Sequence, residues 1–299
     1  MKQVNPLRMP SRKKRLRNLG IALIAPVMLY MLVVMVFPFL WAIYISLTDK
    51  RVGTTGNFIG LRNYTSLFTD SLFWRSVFNT VIFTVGAVTL KVIFGMIMAL
   101  ILNEKIACRN LNRALLILPW TIPTLVSVLI WQWIFSDISG VLNYILLNLH
   151  VVESQVGFLA SRWLAMGAVV LVNAWRGIPF VSISVLAGLQ CIDATLYEAA
   201  RIDGANAIQR FWNVTMPMVK NVTLLATIVT TVWTLGDFEI IWVLTRGGPA
   251  NGTQILSTLS YTYGFMNMDI GKALAIALIS FPPLAVLIHF TTKRMLEQS

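Results

Sequence analysis

The sequence predicts an all-α integral membrane protein with six transmembrane helices and a helical hairpin on its cytoplasmic face. Three observations predict it. Of the 299 residues, 57% are hydrophobic and 12% charged, whereas a soluble domain carries about 25% charged residues. The apolar residues run in blocks about as long as a bilayer core is thick. The basic residues fall mainly on alternate connecting segments, as the positive-inside rule expects of a multi-pass protein.

Residues 1–19 form a basic segment with Lys2, Arg8, Arg12, Lys13, Lys14, Arg15 and Arg17, seven of the 24 Lys and Arg. That clustering explains the net charge of +12 as a cytoplasmic flank. Nucleic acid binding is not expected, because no basic patch is interleaved with exposed stacking aromatics. Residues 20–299 read as one membrane domain with spans near 20–47, 78–102, 114–135, 163–190, 221–244 and 271–290. Each is long enough to cross the core at about 1.5 Å per residue. The first run is too long for the apolar region of a signal peptide and ends in bulky Phe37, Phe39 and Trp41, so it reads as a retained span.

With the N-terminus inside, the inner segments hold fifteen Lys and Arg and the outer segments six. Both termini are therefore expected in the cytoplasm. Tyr64, Phe68, Phe73 and Trp74 give the first outer loop an aromatic belt that suits the membrane interface. There is no internal repeat of the kind that marks inverted-repeat transporters. Cys108 and Cys191 fall in cytosolic segments and are expected as small, semi-buried side chains. His150 and His289 lie far from other ligand types, which leaves no expected metal site.

The segment between the fourth and fifth spans, residues 193–220, is polar enough to leave the membrane. Leu196, Ala199, Ala200 and Asp203 fall at helical spacing, and Gly204 supplies the positive φ that ends a helix. A second short helix is expected from Ala205 to about Asn213, with Pro217 near the start of the fifth span. Small Ala199 and Ala200 permit close approach of another chain, and Glu198, Arg201, Asp203 and Arg210 supply polar anchors.

This segment resembles the cytoplasmic signature of ABC-importer permeases: Glu-Ala-Ala, Gly after three residues, then Ile-x-Leu-Pro after nine more. Glu198, Ala199, Ala200, Gly204 and Pro217 match it, while Val214 stands for Ile and Met216 for Leu, both apolar and of similar size. Further segments are similar to carbohydrate importers of the maltose-transporter kind. They are residues 58–64, 73–80, Leu118 to Pro123, Trp175 to Pro179, Leu186 to Gln190, Arg201 to Ala205 and the turn Thr245 to Pro249. The resemblance implies a type I ABC importer permease, a transport subunit and not an enzyme. It implies a second, homologous permease, two ATP-binding subunits, an extracytoplasmic solute-binding protein and a sugar substrate. Coupling to the ATPase would run through Glu198, Ala199, Ala200, Arg201, Asp203, Gly204, Ala205 and Pro217, with contact from Ala199 to Ala207. No GxxxxGK[ST] loop is present, so no cofactor is expected in this chain; ATP and Mg²⁺ would bind the ATPase partner. The alternatives are an importer permease for a polyamine or phosphonate and, more remotely, an intramembrane enzyme.

Charges inside spans cost about 2.5 to 3.5 kcal/mol each at the centre and call for a partner or a wet cavity. The substrate-path candidates are Asp237, Glu239, Trp242 and Arg176. Trp233 is an alternative stacking ring, and Lys91 an alternative ion-pair partner for the carboxylates. At most one of Asp237 and Glu239 is expected on the path, because i and i+2 do not share a helix face. Pro119 and Pro123 are expected to kink the third span or to open a break that lines a cavity. Lys272 is expected to snorkel to the interface.

Overall fold

The computed structural model describes residues 12–104 and 107–296. Most of the basic N-terminal segment, including Lys2 and Arg8, lies outside the described residues, as does Lys105. The described residues form helices and turns, with two isolated bridges, Thr48 to Phe58 and Arg51 to Asp269.

Four helices are long and apolar enough to cross a membrane: Leu16–Ser46, Ser71–Asn103, Arg162–Gln190 and Ala207–Leu235. A fifth crossing is the pair Asn110–Thr121 and Thr124–Ile134, bent by 93°. Pro123 drives that bend: it removes a backbone donor and pushes Ile122 into an extended conformation, with ψ of 132°. The sixth position holds Ile270–Val286, an apolar run below the length of a full span, whose helix goes on to Leu296.

Two boundaries depart from the sequence expectation. The second span begins earlier, at Ser71, because the Asp70 side chain accepts from Leu72 N and caps the helix there. The fifth span, expected at 221–244, is divided. A helix runs unbroken from Ala207 to Leu235, the chain unwinds through Gly236 and Asp237, and a short helix resumes at Glu239–Leu244. The separate helix expected from Ala205 to Asn213 is thus the N-terminal end of the fifth span itself. A π-turn at Phe211–Thr215 accommodates Pro217, which has no N–H to donate.

The second and fourth spans are the centre of the bundle. They touch where Gly95 lacks a Cβ, which would come within 2.7 Å of Val181 Cγ1. Phe83, Val128, Val169, Val172, Ile240 and Ile241 form one half of the core, and Ala99, Val181, Val185, Leu189 and Val219 the other. Most of the first span exposes its apolar side chains, and its end, Phe37–Ser46, packs on the helix Ile270–Ile279, with Phe39 against Phe281 at 5.4 Å. Leu67 and Phe73 of the aromatic segment at the start of the second span are buried against Leu256, Leu259 and Ile276, whereas Phe68 and Trp74 remain exposed. Lys272 lies over the Tyr263 ring, 4.5 Å from its centroid. Cys108 and Cys191 are both exposed, contrary to expectation. Each occupies the cap of a helix, where the chain leaves the packed bundle.

Candidate functional site

Two regions stand at the ends of the fifth helix. At its N-terminal end, Asp193 caps the helix Ala194–Ile202 by accepting from Thr195 N at 2.9 Å. That backbone donor, followed by the Thr195 side chain, holds the Asp193 carboxyl below the usual carboxylate range. Gly204 follows at φ 77°, and Ala205 N donates to Ala200 O at 2.9 Å, closing the helix end. Asn206 and Gln209 then form a reciprocal capping box that starts the next helix. Arg210 Nη1 donates to Ala205 O at 2.8 Å, and Tyr197 and Thr215 join their hydroxyls at 3.0 Å.

Glu198, Ala199, Arg201, Asp203 and Gly204 are exposed, with Ala200 and Ala205 half-buried. Ile202 is 86% and Ile208 71% exposed, an apolar pair at the tip of a polar hairpin. Sequence reasoning missed these two. Their signal was present, since each is a large aliphatic residue in a segment otherwise polar enough to face water. Tyr197, Glu198, Arg201 and Arg210 line a cleft of about 650 Å³ with Asn103 and Glu104 from the end of the second span.

At the other end of the same helix, where the chain unwinds, a cavity of about 410 Å³ opens among the second, third, fourth and fifth spans. Lys91, Asn173, Arg176, Asp237 and Glu239 line it, along with the rings of Trp120, Phe180 and Trp233. The structure therefore brings Arg176, Asp237 and Glu239 together, and both carboxylates reach the cavity wall. Helical face spacing does not separate them because there is no helix between Leu235 and Glu239. Trp242 lies elsewhere, stacked on Phe238 at 5.5 Å and against Tyr261 at 4.6 Å. The rings that line the cavity are Phe238, on which Trp242 stacks from outside it, Trp233 against Phe180 at 4.7 Å, and Trp120 against Phe180 at 6.4 Å.

The ion pair considered for Asp237 is replaced by bonds to neutral groups. Asn173 Nδ2 donates to Asp237 Oδ2 at 2.7 Å, and Ile240 N donates to Asp237 Oδ1 at 3.2 Å. Lys91 Nζ donates to Thr234 Oγ1 at 2.8 Å, in the last turn before the break. Lys91 and Arg176 both act on Asp237 through space, and Arg176 also faces Glu239. Two basic and two acidic side chains thus share the cavity. Gly177 makes room for Lys91: a Cβ there would overlap Lys91 Cε and lie 2.6 Å from Cδ.

The segment 250–254 that follows the turn Thr245 to Pro249 packs onto the ends of the second and fourth spans and ties the turn to them. Asn79 Nδ2 donates to Gln254 O at 2.9 Å, Arg162 Nη2 donates to Asn79 Oδ1 at 3.3 Å, and Thr253 Oγ1 donates to Gly248 O at 2.7 Å. Gly247, at φ 81°, sits where a Cβ would collide with the Gln254 side chain.

An exposed hairpin joined by one rigid helix to a polar cavity inside an apolar bundle defines a membrane-transport permease. The chain belongs to the family of binding-protein-dependent transport system inner membrane components, whose model matches residues 91–292. It is 38% identical over 270 residues to the trehalose/maltose transport system permease protein MalF of Thermococcus litoralis, covering 90% of each chain. It is 33% identical to the sulfoquinovosyl glycerol transport system permease protein SmoG of Agrobacterium fabrum, covering 88% of this chain and 86% of that one. Its fold matches a chain of a bacterial ABC transporter involved in import of the acidic polysaccharide alginate. The TM-score is 0.82 at 21% identity, over 96% of this chain and 98% of the other.

Proposed function

We propose that this chain is one of two homologous permease subunits of an ATP-driven sugar importer in the cytoplasmic (inner) membrane of a bacterium or archaeon. Both termini lie in the cytoplasm. Two separate ATPase subunits bind ATP and Mg²⁺, so this chain needs no cofactor of its own, and an extracytoplasmic binding protein delivers the sugar. The observation that carries the reading is continuity. The helix Ala207–Leu235, 29 residues and about 43 Å long at 1.5 Å per residue, begins in the exposed hairpin and ends at the cavity. The names of the trehalose/maltose and sulfoquinovosyl glycerol relatives support a carbohydrate as the solute.

In this reading the ATPase dimer closes on ATP and draws the hairpin, from Glu198 to Pro217, toward its counterpart on the companion permease. Ile202 and Ile208 seat in the ATPase, and Glu198, Arg201 and Asp203 ring the contact. The fifth helix carries the displacement to the break at Gly236 and Asp237, tipping the path from inward-facing to outward-facing. Hydrolysis resets it. The test is purification at native expression followed by uptake in proteoliposomes. The chain should co-purify with an ATPase that has no membrane span, and labelled maltose or trehalose should enter only with ATP and the binding protein. Recovery of this polypeptide with no ATPase bound would sink the reading.

A further inference from the structure

The second and fourth spans end beside the hairpin, so their first turns lie at the opposite end of the bundle. Each of those turns pairs an arginine with a tryptophan: Trp74 and Arg75 on one, Arg162 and Trp163 on the other. The two rings are 52% and 60% exposed, and exposed tryptophan at the end of a span marks the depth of the lipid headgroups. Both arginines are fastened to one short segment, residues 250–252. Arg75 Nη1 donates to Ala250 O at 3.3 Å. Arg162 Nη2 donates to Asn79 Oδ1, and Asn79 Nδ2 in turn donates to Asn251 O at 3.2 Å. Arg162 Cγ lies 2.9 Å from where a Cβ on Gly252 would stand, and its guanidinium carbon is 4.9 Å from the centroid of the Trp163 ring. Each guanidinium commits one nitrogen to a protein oxygen, and among the described residues neither meets a carboxylate. One turn on from Arg75, Phe78, Val81 and Val85 follow at spacings of three and four, all exposed, so an apolar stripe runs along the second span from the guanidinium into the bilayer.

We infer that Arg75 and Arg162 form a binding site for the phosphodiester of an anionic phospholipid in the leaflet opposite the hairpin, with one acyl chain laid along Phe78, Val81 and Val85. The site is independent of which solute the chain carries. Two guanidinium groups on one surface call for an anion, and their planar forks match phosphate oxygens. A lipid fits better than a free phosphate. The donors stand beside two tryptophan rings at headgroup depth and at the head of an apolar stripe, and only a lipid covers all three at once. A zwitterionic headgroup would bring its ammonium group against two guanidinium groups, whereas phosphatidylglycerol carries no cation. Because both arginines are tied to residues 250–252, a bound phosphate would also brace that segment against the second and fourth spans.

The test uses the detergent-solubilised protein with the subunits that co-purify, stripped of lipid and then titrated. The probes are phosphatidylglycerol, phosphatidylethanolamine, glycerol 3-phosphate and inorganic phosphate. Native mass spectrometry counts the lipids retained, and Tm is followed across each titration. Phosphatidylglycerol should be retained and raise Tm, phosphatidylethanolamine should do so more weakly, and the two water-soluble phosphates should do neither. The double variant Arg75→Gln with Arg162→Gln should retain one phosphatidylglycerol fewer and need at least about 10-fold more of it for the same rise in Tm, the low end for bonds to charged donors. Arg62→Gln removes an equal charge from the helix before the second span and should change neither readout. If the double variant assembles poorly, Arg75→Gln and Arg75→Lys decide the matter, since Arg75 is exposed: the first should weaken retention and the second restore part of it. Unchanged lipid retention in the double variant, or in Arg75→Gln where that variant decides, overturns the site. A response to inorganic phosphate equal to that to phosphatidylglycerol overturns the lipid as its occupant. Unchanged retention together with weaker capture of the solute-binding protein in lipid-free detergent overturns it as well, and assigns the two arginines to that partner. None of these outcomes bears on sugar uptake, which is measured separately.

Discussion

The hairpin and the cavity lie at opposite ends of one helix and are held together in opposite ways. The bonds that shape the hairpin stay within it and are mostly short in sequence: Asp193 to Thr195, Ala205 to Ala200, Asn206 to Gln209 and Arg210 to Ala205, with Tyr197 to Thr215 the longest reach. The bonds at the cavity join distant spans, Lys91 to Thr234 and Asn173 to Asp237. A region closed on itself keeps its shape when it is pushed. A region shared among spans changes whenever one span slides past another. The hairpin is therefore suited to receive a force and the cavity to register it, with about 43 Å of helix between them.

The sharpest way to break this contrast is to damage one end and read the other. Gly177→Val places a branched side chain where Lys91 runs, with a contact of 2.6 Å to Lys91 Cδ from Cβ alone. Overpacking of this kind costs about 1 to 3 kcal/mol and displaces the buried lysine. We expect uptake to fall at least about 100-fold while the ATPase still co-purifies, because the hairpin borrows nothing from Gly177. Loss of ATPase association in this variant would mean that the two ends are not independently built.

The reciprocal variant is Gly204→Val. No atom lies within 4 Å of a Cβ at this position, so the cost comes from φ 77° alone. A β-branched residue in the left-handed region costs about 1 to 2 kcal/mol, enough to shift the hairpin without disturbing membrane insertion. ATP-driven uptake should drop by about 10-fold, with ATPase association weakened and the sugar selectivity of the remaining transport unchanged. Unchanged uptake would remove the turn from the coupling path.

These two glycines also show how far the sequence could be read. Gly204 was legible because its role is local: helical spacing before it and a helix start after it leave a turn between. Gly177 was not, since what it accommodates is the side chain of Lys91, 86 positions earlier. Lys91, Arg176, Asp237 and Glu239 stood out because charge inside an apolar run is costly wherever it occurs. Their hydrogen-bond partners did not stand out. Asn173 and Thr234 are ordinary residues until four spans converge. Trp233 could be separated from Trp242 only after the break at Gly236 fixed the rotation between them. Trp120 and Phe180 were indistinguishable from the other aromatics of a lipid-soluble chain. The bend at Pro123 was anticipated as a possibility, but its size follows from packing that the pattern does not encode.

A milder perturbation sharpens the contrast from the segment before the sixth span. Tyr263 donates to Asp70 Oδ2 at 3.0 Å, which joins the segment before the sixth span to the cap of the second. Burial, then the bond to Asp70 and its charge, push the Tyr263 hydroxyl up to about 12. A raised value means that the neutral form is favoured on folding. The stabilisation is thus complete below the ordinary tyrosine value of about 10 and lost as pH rises toward 12. Tyr263→Phe should lower stability by about 1 kcal/mol, read as a drop in Tm of the detergent-solubilised protein, and should flatten the alkaline limb of its pH dependence. The ring under Lys272 remains, and so does the cavity, which leaves the KM for sugar unchanged. A change in KM would show that the outer tie shapes the cavity.

The smallest effect is expected at Asp193, where an exposed carboxylate caps the first hairpin helix. Its carboxyl is held low by Thr195 N–H. The contribution is therefore present throughout the range above the ordinary aspartate value of about 4 and fades only as pH falls below it. Hairpin-dependent coupling should be flat from about pH 8 to pH 5 as far as this residue is concerned. Asp193→Asn preserves the cap, since asparagine accepts from the same N–H, whereas Asp193→Ala removes it. Uptake should be near wild type in the first and reduced by less than about fivefold in the second, because Gly204, the Asn206 capping box and the Arg210 bond still close the hairpin. If Asp193→Ala matched Gly204→Val in its loss, the hairpin would depend on a single bond, and its rigidity would no longer follow from many short ones.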